Sequence, residues 1–233
     1  MPRTASSRFF VFCGVCALLS ALTTFGVHLL FEVPPAFAQQ VELYQNPRYL
    51  FRCAWVIGHC LLVLFSVLGV ALKRWERAPG WLLAGLLCFV VFGLTEIFRM
   101  TLTLSYVNLL REKYVLTTDP TVRLVLQTQL ETWSGINTGL FLMFSVAFGL
   151  GNLLYGLALW PPGSGPDRLL SVGLLVWAGL GLWGFINRFW PTEAGSWLLE
   201  GAAVTWQPLM RVVLGWWLLQ GIMARGSASA ARA

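Results

Sequence analysis

Residues 81–104 read WLLAGLLCFVVFGLTEIFRMTLTL. The first part, Trp81 to Leu94, is entirely apolar or glycine. Thr95 and Glu96 come next, and then Arg99 three positions later. As a helix this stretch covers about 36 Å at 1.5 Å per residue, enough to cross a hydrocarbon core of about 30 Å. A transmembrane helix is therefore the reading. Measured from Trp81, Glu96 falls at about 22 Å and Arg99 at about 27 Å. Two opposite charges thus sit in the far third of a membrane span.

Five more apolar runs of this kind occur, at about 9–31, 49–72, 133–159, 169–190 and 198–223. Glu200, Gln207, Pro208 and Arg211 interrupt the last one, and Pro208 should kink it. The expected fold is all-α: a polytopic transmembrane helix bundle with six spans, built as a single membrane domain over residues 1–233. Composition agrees. Of 233 residues, 57% are hydrophobic and 11% charged, with a mean hydropathy of +0.70. A soluble domain carries about 25% charged residues. A secreted disulfide scaffold, a disordered chain and a soluble nucleic-acid binder are excluded on this count.

The formal charge of +6 divides unevenly once the spans are set. One side holds Arg3, Arg8, Lys73, Arg74, Arg77, Arg168, Arg225 and Arg232 against Glu76 and Asp167. The other side holds Arg48, Arg52, Arg111, Lys113, Arg123 and Arg188. Glu32, Glu42, Glu112, Asp119, Glu131, Glu193 and Glu200 oppose them. Lys and Arg favour the cytoplasmic side, so both termini are predicted to be cytoplasmic. Trp75, Trp81 and Trp160 then lie at the inner interface, and Tyr49, Trp133, Trp190 and Trp197 at the outer one. A competing reading of the N-terminus exists. Arg3 and Arg8, an apolar run and Ala36-Phe37-Ala38 resemble a signal peptide with its cleavage site. The run of about 23 residues exceeds the usual 7–15, which favours a retained span.

The outer loop from Glu32 to Arg48, with Pro34, Pro35 and Pro47, reads as largely non-helical. The loop from Ser105 to Thr132 reads as a continuation of the third span to Tyr114. A turn at 117–120 and a second helical approach come after it, with Thr118 or Asp119 as N-cap before Pro120. Gly135 and Gly139 make a G-x-x-x-G pair, read first as helix packing within the chain and second as a dimer seam. Cys13 and Cys16 form a C-x-x-C inside the first span, where small apolar packing is the better reading than a redox dithiol.

Charged groups within spans are costly and mark candidate sites. Glu96 and Arg99, at i and i+3, share a helix face and should pair, with Thr95, Thr103 and Tyr106 continuing that face. His28, Asn187 and Asn137 fall near the same level, and His59 and Arg211 lie deeper. The expectation is a polar cavity open to the outer side, floored by His59 and Arg211. No P-loop, G-x-G-x-x-G, H-E-x-x-H or G-x-S-x-G occurs.

The segment Phe148-Gly149-Leu150-Gly151-Asn152-Leu153-Leu154-Tyr155-Gly156 precedes a short polar loop and Arg168-Leu169-Leu170. With Asn46-Pro47-Arg48-Tyr49-Leu50 before the second span, it resembles bacterial six-helix integral membrane proteins of unknown function. The resemblance implies the six-helix architecture and no assigned chemistry. The expected location is the bacterial inner (cytoplasmic) membrane, crossed several times.

The leading functional expectation is a non-enzymatic accessory subunit or a binder of a small or lipidic ligand. Glu96, Arg99, His59, Arg211, His28, Asn137 and Asn187 would carry the site, with no catalytic residue and no metal. The bilayer and other membrane subunits are the expected partners, and nucleic acid is not. No cofactor is the first expectation. A haem b held by His28 and His59 is the alternative, since it needs two imidazoles from neighbouring helices. A transporter or channel with a Glu96/His59/Arg211 relay is a third reading. A lipid-modifying enzyme using Glu96 or His59 as acid or base is a fourth.

Overall fold

The computed structural model describes residues 7–29, 34, 36–160 and 164–220, and every element in these residues is helical. Helix α1 is Ser7–Leu29. A short α2 (Phe37–Val41) and a single 3-10 turn (Glu42–Gln45) lead into α3 (Pro47–Lys73). Then come α4 (Pro79–Leu102), a π-turn (Thr103–Val107), α5 (Asn108–Leu116), α6 (Pro120–Ala158), α7 (Gly165–Phe189), α8 (Glu193–Val204) and α9 (Trp206–Leu219). The described part of the first loop is thus more helical than its prolines predict. Pro34 and Pro47 flank a stretch, 37–45, that contains none.

Caps set the starts. Asn46 accepts the backbone N–H groups of Arg48 and Tyr49 at 3.0 and 3.2 Å, with Pro47 in the first turn of α3. Asp119 does the same for Thr121 and Val122 at the start of α6, ahead of Pro120. Both prolines stand where no intrahelical N–H is needed.

Among the described residues, five segments are long and apolar enough to cross a membrane: Ser7–Phe25, Pro47–Lys73, Pro79–Leu116, Pro120–Ala158 and Gly165–Phe189. The sixth apolar run is not a single span. It breaks at Thr205 into α8 and α9. A proline ring clashes with the carbonyl four residues back, and for Pro208 that residue is Val204, the last of α8. The 14 residues of α9 cover about 21 Å, less than a hydrocarbon core.

The long helices pack in chain order, α1 on α3, α3 on α4, α4 on α6 and α6 on α7. Helix α9 packs on both α7 and α1 and closes the ring. The core runs through all six, with Cys13, Val67, Phe89, Tyr155, Leu174 and Trp217 among its buried residues. Tyr155 pins three of the helices. Its ring fills the notch at Gly85, where an added Cβ would lie 2.4 Å from the ring, and its hydroxyl donates to the Val67 carbonyl at 3.1 Å. Outward faces carry Leu22, Leu87, Leu94 and Phe98, all exposed. Water does not tolerate an apolar surface of this extent, whereas lipid does. The fold is that of a multi-pass helical membrane protein.

Two smaller expectations meet the geometry. Cys13 and Cys16 are buried free thiols, in keeping with packing. Gly173 and Gly181 sit against Met210 and the Gly149 backbone, but a Cβ at Gly135 or Gly139 would meet nothing within 4 Å. That pair is not a packing site within this chain. Both glycines are exposed on the outward face of α6, while Leu126, Leu130 and Asn137 turn to its neighbours. With 39 residues, α6 runs to about 58 Å, well beyond the bilayer core.

Candidate functional site

One cavity of about 350 Å³ lies where α1, α3, α4, α6 and α9 converge. Helix α3 supplies Arg52, Val56, His59 and Cys60, spaced so that all four face one way. They extend the cavity about 12 Å along the helix axis. Helix α4 adds Phe92, Glu96, Arg99 and Met100, α6 adds Phe141, Phe144 and Phe148, and α9 adds Gln207 and Arg211. Thr24 of α1 completes the lining.

Glu96 and Arg99 form the pair that their spacing predicts. Arg99 donates from Nε to Oε2 at 2.8 Å and from Nη2 to Oε1 at 2.5 Å. Its Nη1 donates to Oδ1 of Asn137 at 3.2 Å, which ties the pair to α6. The guanidinium also lies 5.6 Å from the Phe141 ring. A two-pronged Arg–carboxylate contact fixes both side chains and leaves little net charge on them. Thr103 donates to the Arg99 carbonyl at 2.8 Å. Tyr106, expected on the same face, is exposed instead, because the π-turn inserts a residue and rotates the chain beyond it.

His59 Nδ1 and the Thr23 hydroxyl are 2.7 Å apart, and the Trp55 indole donates to the Thr23 carbonyl at 2.9 Å. These bonds fasten α3 to α1. They also fix the axial level: His59 lies beside Thr23, and position 28 is five residues further along α1, about 7.5 Å away. The side chain of His28 lies outside the described residues, as does that of Glu200.

Arg211 lies at the α9 side of the cavity and is only 4% exposed. Its Nε has no hydrogen-bond partner, and no ion pair among the described residues involves it. Its guanidinium lies 5.2 Å from the ring centre of Trp177 on α7.

Of the residues singled out from sequence, Glu96, Arg99, His59 and Arg211 line this one cavity, and Asn137 touches it through Arg99. Asn187 does not line it. Its Oδ1 accepts the Thr192 N–H and hydroxyl at 3.0 and 3.2 Å, shaping the corner between α7 and α8. Arg188 is exposed. Arg52, Thr24, Gln207 and the phenylalanine wall join the site without having been singled out by their chemistry. Their signal is helical spacing: Phe141, Phe144 and Phe148 share a face, as do Gln207 and Arg211.

Among the described residues, no group of three or more His, Cys, Asp or Glu is placed to hold a metal ion. No protein-family model matches the chain, and no curated protein and no solved structure matches it either.

Proposed function

We propose that this chain is a six-pass, non-enzymatic protein of the bacterial cytoplasmic membrane, acting as an accessory subunit that binds a small or lipidic ligand. Its site is the cavity of Arg52, His59, Glu96, Arg99 and Arg211. In this topology both termini face the cytoplasm, and α8 with α9 makes the last pass as a broken helix.

The observation that carries the reading is the union of two linings in one hollow. Polar groups from α3, α4 and α9 face three phenylalanines of α6 across about 350 Å³. Ligand pockets have this make-up, mostly apolar walls with a few placed polar groups, in the range of about 300–1,000 Å³. Several of the ionisable groups have partners within the protein. Glu96 is locked to Arg99, and His59 is engaged by Thr23.

Native mass spectrometry of protein released from nanodiscs tests this. The wild type should retain a bound small molecule or lipid through purification, and Glu96→Gln with Arg99→Ala should lose it. Equal retention by the variants would remove the cavity from the function.

A further inference from the structure

Arg211 is a buried cation with an unusual electrostatic position. Burying a guanidinium without a counter-charge is expensive, and proteins do so where a ligand or partner supplies the missing anion. The acid that lines the same cavity, Glu96, is engaged by both prongs of Arg99. Among the described residues of the lining, the guanidinium groups of Arg52, Arg99 and Arg211 stand beside the one carboxylate of Glu96.

Helix α9 adds to this field. It starts afresh at Trp206 after the break at Thr205, and Gln207 in its first turn lines the cavity. A helix start carries partial positive charge, and broken membrane helices use such ends to hold anionic groups. In the same lining, the side chains of Phe92, Phe141, Phe144 and Phe148 offer no polar atom at all.

We infer that the cavity receives the anionic head of an amphiphile, a phosphate or carboxylate group bound by Arg211, with its hydrocarbon portion against the phenylalanine wall. This rests on the ligand-binding reading above and names the chemical class of that ligand. Arg211 makes the charge-assisted bonds, the α9 start adds field, and Glu96–Arg99 holds the neighbouring wall in place.

The test uses the full chain, stripped of lipid in a neutral maltoside detergent. Three probes are titrated while thermal unfolding is monitored: dihexanoyl phosphatidylglycerol, dihexanoyl phosphatidylcholine and inorganic phosphate. Phosphatidylglycerol should bind at least about tenfold more tightly than phosphatidylcholine, whose choline cation offsets its phosphate charge and is repelled by the guanidinium groups of the lining. Inorganic phosphate should bind more weakly than the anionic lipid, for want of a tail. Arg211→Gln should abolish the preference while leaving the lipid-free protein at least as stable as wild type, since an uncompensated buried charge has gone. Arg211→Lys, which keeps the charge and loses the fork, should keep the preference at reduced affinity.

Equal binding of the two lipids, phosphate matching the anionic lipid, or an unchanged preference in Arg211→Gln would each overturn the inference. So would an Arg211→Gln protein that is markedly less stable when lipid-free, because the guanidinium would then have a structural partner. Failure of every amphiphile to bind would instead sink the ligand-binding reading itself.

Discussion

Asp167 of α7 accepts the indole N–H of Trp217 of α9 at 2.9 Å, joining the first turn of one helix to the last turn of the other. Arg74 donates to both oxygens of the same buried carboxylate, at 2.7 and 2.9 Å, and Arg77 lies 3.6 Å away. Lys73 donates to the final carbonyls of α9, those of Trp217 and Leu218, and to that of Gln220 just beyond it, and lies over the Trp217 ring. Three cations at the end of α3 thus clamp α3, α7 and α9 together. Asp167→Asn removes the charge that these cations answer and should cost about 2–3 kcal/mol. Thermal unfolding in detergent measures this, and Trp217→Phe should lose about half as much. An Asp167→Asn midpoint equal to wild type would mean that the clamp contributes nothing.

Glu96 and Arg99 should behave as a unit. Glu96→Gln alone leaves Arg99 with one neutral partner in an apolar setting, so it should destabilise more than the double change Glu96→Gln with Arg99→Gln. A double-mutant cycle on unfolding free energies reports the coupling, expected at about 1 kcal/mol or more. Additive single effects would show that the pair is incidental.

The Gly85 notch predicts a steric rescue. Gly85→Val forces atoms into the Tyr155 ring and should cost about 1–3 kcal/mol or prevent folding. Adding Tyr155→Leu should recover much of the yield of folded protein. Tyr155→Phe alone should cost about 1 kcal/mol through the lost bond to Val67.

Gly139 makes the opposite prediction. Because its surroundings are open, Gly139→Leu should leave monomer stability within about 0.5 kcal/mol of wild type. Cross-linking in membranes reads whether the same substitution disrupts a dimer, which is the reading of the Gly135–Gly139 pair that remains.

Orientation is open to a direct labelling test. A membrane-impermeant maleimide applied to intact cells should modify Thr118→Cys, in the turn between α5 and α6, and spare Glu76→Cys, between α3 and α4. The reverse pattern would invert the proposed topology.

Much of this is legible along the chain because membranes impose a simple grammar. Five helices follow from run length alone, and the Glu96–Arg99 pair follows from a three-residue spacing. The depths of His59 and Arg211 are legible too, but that both turn into one hollow is seen only in the fold. Azimuth is the quantity that a linear reading lacks. Arg52 reads as a loop charge because it sits within a turn or two of the helix start, yet its face turns inward. Asn187 has the right depth and the wrong corner, since Thr192 claims it. Pro208 predicts a kink, and the clash four residues upstream explains why the break itself stands at Thr205. The role of Asp167 is hidden in the sequence because its partners Trp217 and Arg74 are 50 and 93 residues away.

Tyr155 sets the relative height of α3, α4 and α6 through Val67 and Gly85, neither of which lines the cavity. Scaffold and pocket share Phe92 and Phe148, which lie in the same core as Tyr155, whereas Phe141 belongs to the pocket alone. A lineage of such chains could exchange Phe141, and with it the preferred guest, while the helices keep their register. An engineer wishing to retune the pocket should leave that ring and Phe148 alone and work on α6 at Phe141.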